Sequence, residues 1–182
     1  MIILFGMAGS GKSVQGQILA EKHDFKWLSV GQLLRDQNDP ELDAIMKKGE
    51  LVPDEYVVKM MHKAGEEVLS SGKNAVLDGY PRDEWQAKWI VESGDIKNID
   101  GIIVFKVPRD ELWARLELRG REDDTREAIE KRWSLFEQTI EVVSKILTEA
   151  GVKIREVDGV GAVEEVTARI EAILSDWGII KG

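Results

Sequence analysis

The chain has 182 residues, no cysteine and a formal net charge of −9, from 25 Lys and Arg against 34 Asp and Glu. That length suits one compact domain with small appendages, and the lack of cysteine excludes disulfides and thiolate-held zinc. The acidity leads us to expect no nucleic-acid and no membrane partner, because both call for a basic surface.

In chain order, Ile2–Phe5 is a continuous apolar run ending at Gly6, the pattern of a buried parallel strand. No basic stretch precedes it, so it does not read as a signal peptide, and the expected setting is cytoplasmic. A helix should follow from Lys12 to about His23. The segment from Ser29 to Val52 offers no convincing strand and reads as short inserted helices. Pro53-Asp54-Glu55 opens another helix, with Pro at the first helical position and acids in the first turn. Tyr56, Val57, Met60, Met61, Ala64 and Val68 then recur at a helix period. Ala75-Val76-Leu77 reads as a second buried strand ending at Asp78, and Gly101 to Val107 as a third. Asp123-Asp124-Thr125 is a capping signal for a helix from about Arg126 to Ala150. Val152 to Val157 alternates apolar and charged residues, as near a sheet edge, and a last helix covers about Ala162 to Trp177. Strands alternating with helices imply an α/β fold, a parallel sheet flanked by helices in three layers, over residues 1–182.

Gly6-Met7-Ala8-Gly9-Ser10-Gly11-Lys12-Ser13 matches G-x-x-x-x-G-K-[ST] in full, between a predicted strand and a predicted helix. Glycines let the backbone N–H groups turn inward on phosphate oxygens, and the following helix adds the positive end of its dipole. Lys12 supplies a full charge, and Ser13 can place a hydroxyl on Mg²⁺. The loop therefore implies a nucleoside triphosphate with magnesium. It does not name the acceptor.

Three further segments bear on the acceptor. Leu28-Ser29-Val30-Gly31-Gln32-Leu33-Leu34-Arg35 resembles the monophosphate-binding signature of the adenylate kinase family. Gly49-Glu50-Leu51-Val52-Pro53-Asp54 resembles that family's next contact segment. Leu77-Asp78-Gly79-Tyr80-Pro81-Arg82, followed by Gln86, is similar to its signature string. The resemblance implies a P-loop NTPase core, a small helical monophosphate-binding insertion over residues 29–70, and a lid over 115–126. It also implies an enzyme that converts ATP and AMP reversibly into two ADP; a monomer is the expected state.

The same resemblance assigns roles. Arg35 and Arg82 should hold the acceptor's phosphate, which suits a guanidinium fork. Gln86 should read the acceptor base through its amide, with Val30, Glu50, Leu51, Val52, Gly79 and Tyr80 bordering the monophosphate. Gly9, Ser10, Gly11, Lys12, Ser13 and Val14 should surround the triphosphate, and Asp78 should orient magnesium's water shell beside Ser13. Arg115 should lie against the triphosphate's base, together with Gly161 in the loop Asp158-Gly159-Val160-Gly161-Ala162. Arg119, Arg121 and Arg132 should contact phosphates, Arg121 and Arg132 on the acceptor side as well. With Lys12 and Arg82 these three form the catalytic set, because phosphoryl transfer depends on positioning and charge stabilisation. The alternative for the lid arginines is a ladder of surface ion pairs with Glu111, Glu117 and Glu122.

The sequence departs from the family where only Gly120 separates Arg119 from Arg121. The lid is reduced to a turn, so the site should stay comparatively open and leak hydrolysis. Gln86 favours AMP, whereas Val30 lacks a threonine's hydroxyl; UMP or CMP is the alternative acceptor. A nucleotide-dependent switch is the reading from outside enzymes, although no Asn-Lys-x-Asp guanine-reading string occurs.

Overall fold

The computed structural model describes residues 1–121 and 124–181. Five parallel strands, β1 (Ile2–Phe5), β2 (Lys26–Ser29), β3 (Ala75–Asp78), β4 (Gly101–Lys106) and β5 (Lys153–Asp158), form one sheet in the order β2-β3-β1-β4-β5. The central strand β1 is buried throughout, because its four apolar residues meet helices on both faces. Ile3 and Phe5 join one core layer with Leu77, Ile102 and Val104. Ile2 and Leu4 join the opposite layer with Val76, Ile103 and Phe105. The period of two in a strand thus divides one apolar run between two cores.

The helices are α1 (Lys12–His23), α2 (Val30–Arg35), α3 (Pro40–Lys47), α4 (Asp54–Ser70), α5 (Glu84–Ser93), α6 (Arg109–Arg119), α7 (Arg126–Glu149) and α8 (Val163–Asp176). The buried indole of Trp133 on α7 donates to the Ala8 carbonyl at 3.0 Å, tying that helix to the turn after β1. Register sets Leu4 beside Asp78, and Asp78 beside Ser29. Three strands therefore end at one level, and the segments after them share the carboxyl edge of the sheet, where α/β folds place ligands.

Several sequence expectations need adjusting. Strand β2 lies at the sheet edge and reaches Ser29, where only short helices were expected. Its first three residues are not buried, so it lacks the continuous apolar signal of β1 and β3. Pro53 is the N-cap of α4, not its first helical residue. Thr125 caps α7 by accepting from the Ala128 N–H at 3.2 Å; the expected cap at Asp123 falls outside the described residues. Helix α5, which the sequence reading did not place, is capped by Asp83, whose Oδ1 accepts from the Gln86 N–H at 2.9 Å. Strand β5 does lie at an edge. Among the described residues no helix is long and apolar enough to cross a membrane.

Candidate active site

The turn from β1 into α1 is built as the motif requires. Gly9 sits at φ +90, and a Cβ there would stand 2.8 Å from the Leu112 carbonyl; only glycine fits. The Lys12 ammonium folds back, donating to the carbonyls of Gly6 at 2.6 Å and Met7 at 2.9 Å and to Ser10 Oγ at 3.3 Å. Burial lowers its pKa to about 8, partly opposed by the Asp78 carboxylate. Ser13 Oγ donates to Asp78 Oδ2 at 2.6 Å. That places two hard oxygen donors together at the mouth of the loop. Val14 points outward, exposed on the first turn of α1.

From this loop a continuous cleft runs under α2 and α4. Lys12, Ser13 and Asp78 line it with Val30, Arg35, Glu50, Leu51, Val52, Gly79, Arg82 and Gln86, and so do Arg119, Arg121 and Arg132. The structure thus brings most of the expected monophosphate and catalytic residues into one space. Tyr80 is the exception. Its side chain is buried beside a separate small pocket with Met61 and His62, and burial raises its hydroxyl far above the usual value. Gly79, at φ +78, turns the chain there, and Arg82 Nε donates back to the Gly79 carbonyl at 2.8 Å.

Gln86 is held at both ends. Its Oε1 accepts from the Arg82 backbone N–H and its Nε2 donates to Asp54 Oδ1, each at 2.8 Å. Asp83 lies within hydrogen-bonding reach of Asp54, and burial together with that carboxylate pushes Asp83 up to about 6, against the pull of the Gln86 N–H. The sequence reading missed Asp54 and Asp83 as site residues. It also missed the α7 side chains of Leu135, Phe136, Thr139, Ile140 and Val143, which form the cleft's far wall. The apolar spacing along α7 was visible in the sequence, but it does not say which apolar positions face core and which face a cavity.

The arginines divide between two partners. Arg115 forms the predicted ion pair with Glu111 at 2.8 Å, yet its Nη2 also donates to the Gly159 carbonyl at 2.9 Å and its Nη1 reaches the Ser10 carbonyl at 3.5 Å. It links the loop carrying Gly161, whose φ is +116, to the phosphate loop. Arg119 instead chelates Asp124, with Nε and Nη2 donating at 2.7 and 2.6 Å to a side chain only 4% exposed. Arg132 Nη1 donates to the same carboxylate at 3.3 Å, while its Nη2 donates to the Met46 carbonyl of α3 at 2.8 Å. Among the described residues the surface-ladder alternative therefore describes Arg115 in part, while Arg119 pairs with Asp124 in place of a ladder acid; Glu122 falls outside them. Gly9, Ser10, Gly11, Val14, Arg115 and Gly161 do not line the cleft; Arg115 joins the two loops that bear Ser10 and Gly161.

Known proteins offer close parallels. The family description "Adenylate kinase" matches residues 4–152. An adenylate kinase of Thermus thermophilus is 33% identical over 187 aligned residues, covering 95% of this chain and 96% of that one. An adenylate kinase of Mycobacterium sp. (strain MCS) is 34% identical over 177 residues, covering 92% and 95%. An adenylate kinase of Salinibacter ruber is 30% identical, covering 95% and 97%.

Proposed function

The chain belongs to the adenylate kinase family, and on that premise we propose how its residues divide the work of a nucleoside monophosphate kinase. The reaction is reversible phosphoryl transfer from ATP to AMP, giving two ADP. The observation that carries the residue assignments is the single cleft that Lys12 of the phosphate loop, Arg82, Arg119, Arg121, Arg132 and Gln86 line together.

The triphosphate lies on the loop Gly9–Lys12, with its base against Arg115 and the strand-to-helix loop at Gly161. The monophosphate lies in the insertion, residues 29–70, with its phosphate on Arg35 and Arg82 and its base on Gln86. Its sugar and base run along the α7 wall, whose apolar side chains exclude water from that end. Lys12 leaves the loop carbonyls for the phosphates in transit. Arg119, Arg121 and Arg132, from residues 115–126 and the next helix, spread the charge that develops on the moving phosphoryl group.

Magnesium fits this donor set. Ser13 and Asp78 offer oxygen ligands 2.6 Å apart, and no cluster of three acidic or His side chains occurs among the described residues. A cation with few protein ligands that keeps water and phosphate oxygens suits Mg²⁺. Ser13 and Asp78 would hold the cation, which would neutralise phosphate charge at that end of the cleft.

The test is ADP formation from ATP with AMP, UMP, CMP, GMP or no acceptor. AMP should be preferred, and Gln86→Asn should weaken that preference. Triphosphate turnover equal with and without acceptor would overturn the kinase reading.

A further inference from the structure

Gln86 has an amide that can be read in two directions, and the structure permits only one. Oε1 faces a donor, the Arg82 backbone N–H, and Nε2 faces an acceptor, Asp54 Oδ1, both at 2.8 Å. Turning the amide over would set N–H against N–H and oxygen against carboxylate, at a site where Gln86 is 1% exposed and water cannot relieve the mismatch. One N–H and one carbonyl lone pair remain for a ligand, in fixed order. Asp54 opens α4, whereas Gln86 lies on α5, so the pairing also joins the insertion to the body of the protein.

We propose that Asp54 is a positioning residue: by holding the Nε2 end of the Gln86 amide, while the Arg82 N–H holds the Oε1 end, it helps fix the direction of that amide and so makes the acceptor site select 6-amino over 6-oxo purine monophosphates. Adenine presents an amino donor beside a ring-nitrogen acceptor. Hypoxanthine, of the same size and shape, presents an oxo acceptor beside a ring N–H donor. A freely turning glutamine serves both, because each face of an amide carries a donor and an acceptor. A pinned one leaves buried polar groups facing like partners when the oxo base enters, and such mispairing discriminates far more strongly than a missing methylene. The inference rests on the assignment of Gln86 to the acceptor base.

The experiment measures kcat and KM for AMP and for IMP, with saturating ATP, in the wild-type chain and in Asp54→Ala, Asp54→Asn and Gln86→Ala. The wild type should favour AMP strongly. Asp54→Ala should lower the AMP-to-IMP ratio of kcat/KM by about tenfold or more, through a higher KM for AMP and a gain with IMP, while the KM for ATP holds. Asp54→Asn keeps size and a hydrogen-bond partner but can pair with either end of the Gln86 amide, leaving only the Arg82 N–H to set its direction, so it too should lower the ratio; it decides the matter if the alanine variant folds poorly. An unchanged ratio in the Asp54 variants, with Gln86→Ala lowering it, overturns the positioning role alone. An unchanged ratio in Gln86→Ala as well overturns the base-reading assignment and the proposal with it. No turnover of AMP by the wild type overturns the kinase reading itself.

Discussion

Lys12 and Asp83 are shifted in opposite senses from their ordinary values, and each shift has a pH signature. Burial brings Lys12 down to about 8, so the empty site loses its ammonium charge above that pH while the unfolded chain keeps its own to beyond 10. Phosphate binding requires the charged form, so kcat/KM for ATP should fall as pH rises past about 8, measured under initial-rate conditions. The stability of the empty protein moves the other way, rising between about 8 and 10, since there the unfolded chain binds the extra proton. Asp83 is raised to about 6 from 3.8. Between those values the folded state retains a proton that the unfolded state releases. Stability should therefore fall as pH climbs through that window and level off above it. Thermal melting from pH 4 to 7 reads this, and Asp83→Asn, which keeps the helix cap, should flatten its part of the slope.

The seam between the insertion and α7 shows what binds one element to another. Gly49 sits at φ +68, and a Cβ there would come 2.6 Å from the Ala128 carbonyl. Lys131 pairs with Glu50 across the same seam at 3.1 Å. Gly49→Ala should cost about 1–3 kcal/mol of stability, from a left-handed backbone and a clash with main chain that cannot step aside. It should also raise the KM for AMP more than that for ATP. None of this seam was legible in the sequence, where Gly49 only completed a motif. What sequence did disclose follows from local physics. The apolar run Ile2–Phe5 marks a two-sided buried strand, the glycines and Lys12 mark the phosphate loop, and Thr125 lies within the predicted capping string. Strand β2 was missed because a short edge strand with exposed Lys26 carries no pattern. Asp54 read as an ordinary first-turn acid because its partner Gln86 lies 32 residues on, and the burial of Tyr80's side chain beside a separate pocket was not legible because a motif gives a residue's position but not the direction of its side chain.

At the scale of the molecule, the connection between α6 and α7 spans only residues 120–125, far too little for a separate cover. In the proposed mechanism arginine side chains do what a larger flap would otherwise do. Arg119→Ala should lower kcat by about 10³-fold, by analogy with supplied arginines in related chemistry. A site with so little over it should also admit water to the phosphoryl group. A slow, acceptor-independent release of phosphate from ATP should be detectable and should diminish when a non-reactive AMP analogue fills the neighbouring subsite. The same economy has a mechanical side. Arg132 grips the Met46 carbonyl with one nitrogen and Asp124 with another, so a single guanidinium fastens α3 to the turn that leads into α7. Removing that one side chain should therefore release both attachments at once, and Arg132→Ala should speed amide hydrogen exchange in α3 and around Asp124 together.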